Sequence, residues 1–303
     1  MANIKKKIRL LGEVIIGSLV KVRVKYDLYV RHSIRVSGKV EPTMMVTLTS
    51  YGHRLQHSVE YTLHSLLCQV LRPGRIVVWV YEGEFTDGQL PACRKVFERY
   101  GVEFLPYPRD IRSYKKLIPA LEHYPHFHHV IVDDDIYYTS TLLSELWAFH
   151  QDNPHSIIAH AVDLPKFSDD GKTLVPYKQW KQYTTVEHDF RYDPMFAMPI
   201  GFGGVFYPEG VFDEEVADAG KFLEMCPLAD DIWFYVHSIR LGIKKVKVIG
   251  SKVKFLPVDL LRQYVSRDRL TAVNRLQNEN DRQLSNLLSY YSLSIVRSEI
   301  DCH

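Results

Sequence analysis

The feature that most constrains this chain is an apolar run that stops on three acids, His129-Val130-Ile131-Val132-Asp133-Asp134-Asp135-Ile136-Tyr137-Tyr138. Val130–Val132 is short, continuous and β-branched, which predicts a strand buried on both faces. Three adjacent carboxylates repel one another and cost stability unless water or a positive charge relieves them. A solvated acidic turn is one way to meet that condition, because clustered charge is usually wet surface. A divalent cation is the other, and hard oxygen donors suit Mg²⁺ or Mn²⁺.

The surrounding pattern favours a buried sheet. Met44–Thr49, Arg75–Val80, Val102–Leu105 and Val130–Val132 read as strands. Ser58–Val70, Leu90–Tyr100, Tyr114–His123 and Thr139–His150 read as the helices between and after them. Strands alternating with helices predict an α/β fold with a mostly parallel sheet flanked by helices. Ligands of such sheets bind beyond the carboxyl ends of the strands. Three polar motifs fall there: Thr49-Ser50-Tyr51, Tyr81-Glu82-Gly83 and Asp133-Asp134-Asp135.

The second half is less regular. Residues 161–200 are rich in aromatics and proline without clear periodicity, which predicts a long loop, either a binding lid or a cover packed on the core. Gly201-Phe202-Gly203-Gly204 allows close backbone approach but lacks dinucleotide-binding spacing. Asp230-Asp231-Ile232-Trp233 opens a helix; one acid can serve as its N-cap, and two exceed what capping requires. A late strand is expected at Val246–Ile249 and a C-terminal helix at Ala272–Leu288.

Of 303 residues, 46% are hydrophobic, enough for a sizeable core. The net charge of +2 gives no global field for nucleic acid, so none is expected as a partner. The charge is uneven, however. Residues 1–40 carry ten Lys/Arg against two acids, Glu13 and Asp27. Ile8, Leu10, Leu11, Val14, Ile15, Ile16 and Leu19 interleave with these basic residues, as in a helix lying on an anionic membrane surface. An ordinary helix packed on the domain with solvated lysines fits equally well. No signal peptide and no transmembrane run are read here. The four cysteines lack metal or disulfide spacing, and the expected setting is cytoplasmic, at most peripheral at the inner face of the membrane.

On a strand, Asp133 and Asp135 would share one face and Asp134 the other. One or two of them could hold the cation, and the cation a nucleotide diphosphate. A carboxylate at a helix N-terminus, Asp230 or Asp231, is a candidate base, because the helix dipole favours the anion. Lys115 and Lys116 sit at a helix start, where lysine is unfavourable, which suggests pairing with phosphates or with the acids. His123, His126, His128 and His129 read better as a turn leading into the strand than as metal ligands, and Trp233 reads as core more readily than as ligand.

Four segments together resemble the GT-A-type bacterial glycosyltransferases of surface-polysaccharide synthesis related to family 2, the enzymes of lipopolysaccharide and capsule assembly. They are Val46–Arg54; Tyr114–Pro119 followed by Val130–Tyr138; Gly203–Pro208; and Ala229–Trp233, in order over about residues 44–240. The resemblance implies a GT-A-like sheet and sugar transfer from a nucleotide sugar, with UDP as the first expectation, to a glycan or lipid-linked acceptor. It implies Thr49, Ser50, Tyr51, Arg54, Lys115, Asp133 and Asp134 on the nucleotide. It puts Asp133 and Asp135 on Mn²⁺ or Mg²⁺ as a DXD motif, and Gly203, Gly204 and Trp233 on the acceptor side. Asp231 or Asp230 would be the base of an inverting reaction. No clear histidine after the Asp231 helix completes a metal site, and residues 1–40 lie outside the match. The expected organisation is a basic arm over 1–40, a catalytic domain over 41–260 and a C-terminal helical segment over 261–303 packed on it.

Other classes fit less well. A haloacid-dehalogenase-type phosphohydrolase wants DxDxT, and Tyr137 stands where its threonine would be. A nucleotidyltransferase wants a glycine-rich basic loop after the first strand, where Ser50-Tyr51-Gly52-His53 has one glycine. A non-catalytic glycan-binding scaffold would use the aromatic segment 161–200 and need neither Asp133 nor Asp231.

Overall fold

A computed structural model describes residues 2–183, 192–251, 253–258 and 278–296. Seven strands form one sheet: β1 (Lys39–Thr49), β2 (Leu71–Tyr81), β3 (Val102–Tyr107), β4 (His128–Ile131), β6 (Ile157–Ala159), β10 (Val205–Tyr207) and β11 (Lys245–Lys247). Their spatial order is β11-β6-β10-β4-β1-β2-β3, and every pairing is parallel except those of β10. β5 (Ile136–Tyr138) pairs with β12 (Phe255–Pro257) in a separate ribbon. β7 (Val162–Leu164), β8 (Lys181–Tyr183) and β9 (Met198–Pro199) make a small antiparallel sheet.

The sheet is buried on both faces, as the unbroken apolar runs require. Alternate residues of β2 enter different clusters: Ile76, Val78 and Val80 on one side, Val77 and Trp79 on the other. The first side is covered by α1 (Ala2–Lys25), α3 (Val59–Leu67), α4 (Arg94–Glu98) and α6 (Leu142–Asp152), with α2 (Gly52–His57) leading into α3. The second is covered by α5 (Ile118–His123), α7 (Ala219–Met225), α8 (Asp230–Arg240) and α9 (Glu279–Tyr290). Each side chain sealed in these layers contributes about 1.5–3 kcal/mol.

The structure shortens several expected helices, lengthens β1, β2 and β3, and ends the late strand at Lys247 rather than Ile249. Arg72-Pro73-Gly74 lies outside the expected strand Arg75–Val80. It nonetheless belongs to β2, where a register irregularity between Glu41 and Met45 of β1 accommodates the proline. The helix expected over 90–100 forms only at Arg94–Glu98. That expected over 114–123 splits at Leu117 into a 3₁₀ turn, Arg112–Lys116, and α5, with Pro119 in the first turn of the latter. Segment 161–200 is not one loop but the strands β7, β8 and β9 with connections; residues 184–191 lie outside the described structure. The expected C-terminal helix begins at Glu279, and 272–277 also lie outside.

Candidate active site

Sheet register brings the motifs together. Thr47 pairs with Ile131, so two residues further on, Thr49 and Asp133 leave neighbouring strands side by side. Ser50 and Asp134 come next, and Ser50 Oγ donates to Asp134 Oδ2 at 2.6 Å. β10 runs antiparallel to β4 with Val205 opposite Ile131, so Gly201–Gly204 enters beside the acids as they leave. The Asp133 N–H donates to Tyr138 Oη at 3.0 Å, and the Tyr138 hydroxyl donates to the Phe202 carbonyl at 2.9 Å. One buried phenol therefore pins the acidic turn to the glycine segment.

The acids do not keep strand alternation, because β4 ends at Ile131 and Asp134-Asp135 form a turn. Asp133 turns toward α8 and meets Lys116, with Nζ 2.5 Å from Oδ1. Asp134 and Asp135 instead share the Arg54 guanidinium, at 3.1 and 3.2 Å. The expected pairing of Asp133 with Asp135 on one face is corrected accordingly. Burial raises the Asp134 carboxyl above its ordinary range, opposed by Arg54. Burial, then the charge of Asp133, pushes Asp135 up to about 6.

Asp230 and Asp231 open α8, but neither caps it. Ala229 occupies the N-cap position and no side-chain cap bond forms. Both acids are therefore free of the role that would have explained one of them. Asp231 Oδ1 accepts the Gly201 N–H at 3.1 Å. Asp230 is buried, its Oδ2 lacks a hydrogen-bond partner, and it lies 3.9 Å from Lys116 Nζ. Burial, then the Asp230 charge, holds the Asp231 carboxyl well above its usual range, while Lys116 pulls it back. Burial alone would depress the Lys116 ammonium, but Asp133, Asp230 and Asp231 outweigh it and hold it well above its usual value.

Lys116 is thus the cation between the strand-tip acids and the helix-start acids. Thr47 Oγ1 donates to the Lys116 carbonyl at 2.7 Å and accepts Trp79 Nε1 at 3.0 Å, fixing the lysine backbone to β1. Lys115, the lysine expected at the nucleotide, is buried and pairs with Asp110 instead. Consecutive residues of a 3₁₀ turn point about 120° apart, so only one of the pair faces the site.

Other expected site residues divide. Ser50, Arg54, Asp133, Asp134, Asp135, Asp230 and Asp231 are brought together, and Tyr51 is half exposed beside them. Thr49 is buried and its hydroxyl donates to the Trp79 carbonyl, 2.9 Å away. Trp233 is fully buried, donates to the Val216 carbonyl at 2.9 Å and packs on Phe222, so it presents no acceptor surface. Gly203 allows contact with Ala161, since a Cβ there would lie 2.5 Å from the Ala161 Cβ. Gly204 needs its φ of +80°. The glycine that faces the acids is Gly201, which sequence reading placed in the segment but not at the site.

The donors on offer to a divalent cation are carboxylates, and they are parted between two basic residues: Asp133 meets Lys116 and Asp135 meets Arg54. Among the described residues no group of three or more His, Cys, Asp or Glu is placed to hold a metal ion. Mg²⁺-like ions commonly take one or two carboxylates, completing their shell with phosphate and water oxygens. Asp133 and Asp135 would supply those carboxylates, and the crowding that raises the Asp135 carboxyl is relieved by positive charge.

No family model and no curated protein matches the chain. Among solved structures, the mannosyltransferase PcManGT from Pyrobaculum calidifontis, in complex with GDP-Man and Mn²⁺, aligns over 94% of this chain and 74% of its own. The TM-score is 0.50 and the identity 13%. The fold is GT-A-like. CMP:2-keto-3-deoxy-manno-octonic acid synthetase complexed with CTP aligns over 70% of this chain and 91% of its own, with TM-score 0.39 and 8% identity. 4-Diphosphocytidyl-2C-methyl-D-erythritol synthase aligns over 80% and 99%, with TM-score 0.40 and 11% identity. At 13% identity the likeness to the mannosyltransferase is one of fold.

Proposed function

We propose that this protein is a glycosyltransferase that moves a sugar from a nucleotide-sugar donor to a hydroxyl of a glycan or lipid-linked acceptor. The observation that carries the reading is Lys116, held between Asp133 on one side and Asp230 at the start of α8 on the other. Phosphate handling and proton removal would thereby adjoin at the carboxyl end of the sheet. Ser50, Tyr51 and Arg54 would face the nucleotide. Asp133 and Asp135 would hold Mn²⁺ or Mg²⁺, which would supply Lewis-acid stabilisation to the leaving diphosphate. Lys116 would add fixed positive charge beside it. Asp231 would take the proton of the acceptor hydroxyl. The hydroxyl oxygen would then bond to the anomeric carbon as the bond to the diphosphate breaks, inverting that centre. Burial makes the Asp231 carboxylate more basic, as a general base requires, and Lys116 opposes that rise by favouring the ionised form.

The catalytic unit would be residues 41–260, with 261–303 packed on it and 1–40 as a basic arm. The setting would be bacterial surface-polysaccharide synthesis, in the cytoplasm or at the inner face of the membrane. The donor base is open between UDP and GDP, since the mannosyltransferase named above was solved with GDP-Man.

The test is thermal stability with UDP, GDP, CMP and dTDP, each with and without Mn²⁺. A ligand at ~100 times its Kd adds about 2.7 kcal/mol, a readily measured shift in Tm. A metal-dependent shift with one nucleotide, lost in Asp133→Ala and Asp135→Ala, is the expected result. No shift with any nucleotide overturns the transferase reading and favours a glycan-binding scaffold.

A further inference from the structure

The helix α1 is amphipathic in an unusual setting: one face is bolted to the domain and the other is apolar and open. Val24 and Leu28 are buried in the core, with Val20 packed against it. Three polar links from Lys25 and the turn that follows α1, Tyr26–Val30, lock this face to α3, and a fourth braces that turn internally. Lys25 pairs with the buried Glu60, and the Tyr29 hydroxyl donates to Glu60 Oε2 at 2.8 Å. His64 Nε2 lies 3.1 Å from Asp27 Oδ2, and Arg31 Nη1 donates to Asp27 Oδ1 at 3.0 Å. The outward face carries Ile15, Ile16, Leu19, Val22 and Tyr26, between 52% and 69% exposed. Their spacing of three and four residues makes one continuous stripe. The helix cannot roll to hide it without breaking the buried links.

We infer that this stripe docks α1 onto an anionic phospholipid surface, with Ile15, Leu19 and Val22 entering the interface. Charge selects the occupant. The same helix begins with Lys5, Lys6, Lys7 and Arg9, and residues 1–40 carry ten basic against two acidic residues. One of those two acids, Asp27, is buried and already paired. Anionic lipid attracts such an arm at about 1 kcal/mol per basic residue near the surface. A second copy would bring two arms of the same sign together and repel. No helix among the described residues is long and apolar enough to cross a membrane, so the contact is interfacial.

The placement deepens the transferase reading, on which this last step alone rests. Gly17, Val20 and Lys21 of α1 adjoin Leu256, Pro257 and Val258 of the β12 ribbon, and the Val258 N–H donates to the Asp135 carbonyl at 2.8 Å. A bilayer against α1 is thereby tied through one ribbon to the acidic turn, which suits a lipid-linked acceptor.

The experiment is co-sedimentation of the full chain, without nucleotide, with vesicles of phosphatidylcholine alone or containing one-third phosphatidylglycerol. Selective binding to the anionic vesicles is expected, weakened by salt and reduced at least about tenfold in Leu19→Asp/Val22→Asp and in Lys5→Glu/Lys6→Glu/Lys7→Glu. Leu19 and Val22 are exposed, so an unchanged Tm verifies that the first variant folds. Wild type remaining in the supernatant, or the Leu19/Val22 variant sedimenting like wild type, overturns the inference. A vesicle-free dimer that this variant dissociates also overturns it, by assigning the stripe to a second copy. Because no nucleotide is present, vesicle binding that persists in Asp231→Asn separates this proposal from the fate of the transferase reading.

Discussion

Lys116 Nζ lies 2.5 Å from Asp133 Oδ1 and 3.9 Å from Asp230 Oδ2, so one ammonium spans the gap between the end of β4 and the start of α8. Without it, at least three carboxylates would face one another in a partly dry site. Lys116→Met is therefore expected to lower kcat by about 10²–10³, the usual cost of losing a preorganised charge. It should also destabilise the fold by about 3–5 kcal/mol, because a buried pair loses one member. Steady-state kinetics and urea unfolding read the two effects; wild-type kcat in the variant would remove Lys116 from the site.

Asp231→Asn should lower transfer by about 10³ while leaving the nucleotide-dependent Tm shift intact. Its stability should move the other way. The folded carboxyl is raised, so its favourable contribution is complete below the ordinary carboxylate pKa and is lost as pH rises through the folded value. The asparagine variant should match wild type at low pH and become progressively more stable than it toward neutrality. A variant less stable than wild type at neutral pH would contradict the burial argument.

Two neighbouring glycines should respond differently to alanine. At Gly201 a Cβ would meet Asp231 Oδ1 at 3.1 Å and Lys116 Nζ at 3.5 Å, both side-chain ends. Gly201→Ala should fold normally and lose about tenfold in kcat, as the proposed base, Asp231, is displaced by a few tenths of an ångström. At Gly203 a Cβ would lie 2.5 Å from the Ala161 Cβ and 2.9 Å from its nitrogen. Gly203→Ala should cost about 1–3 kcal/mol of stability through overpacking. Tm and kcat measured on both variants separate the site glycine from the packing glycine.

Arg54→Ala leaves Asp134 buried with Ser50 as its remaining partner. The Arg54 side chain is 45% exposed, so the stability cost is moderate, about 1–3 kcal/mol. Nucleotide affinity should fall as well, read as a smaller Tm shift at the same ligand concentration. An undiminished shift would remove Arg54 from the nucleotide site.

Far from the acids, Lys245 is fully buried on β11, donates to the Met195 carbonyl, and has its ammonium pulled down to about 7 by burial. Between that value and the unfolded value near 10.4, the unfolded chain binds more protons, so stability rises with pH. From pH 7 to about 8.5, wild type should gain up to about 1.4 kcal/mol per pH unit relative to Lys245→Met. Parallel pH profiles for the two proteins would show that Lys245 keeps its charge in the fold.

How much was legible in the sequence follows from what each feature depends on. The α/β class, the strand carrying the acids and the helix opened by Asp230-Asp231 are local matters. Apolar run length, residue type and punctuation fix them before any long-range contact forms. The same local pattern marked the acidic turn, the Thr49-Ser50-Tyr51 strand end and the acid pair of α8, whereas Arg54 came in only through the family resemblance. The outward stripe of α1 was already visible as interleaved apolar and basic residues.

What the tertiary structure decided is which of two adjacent residues faces the site. Lys115 and Lys116 are alike in sequence, and only the 3₁₀ turn and the Thr47 bond to the Lys116 carbonyl point the second one at the acids. Asp135 joins Asp134 on Arg54 because β4 ends early and the chain turns, so alternation no longer applies. Trp233 lies one face away from the acids that precede it, and Gly201 rather than Gly203 meets Asp231 because β10 runs against β4. Side-chain direction at the end of an element depends on contacts from strands and helices distant in sequence. No local pattern encodes those contacts, which is why the sequence marked the candidate segments and the fold chose which of their residues meet.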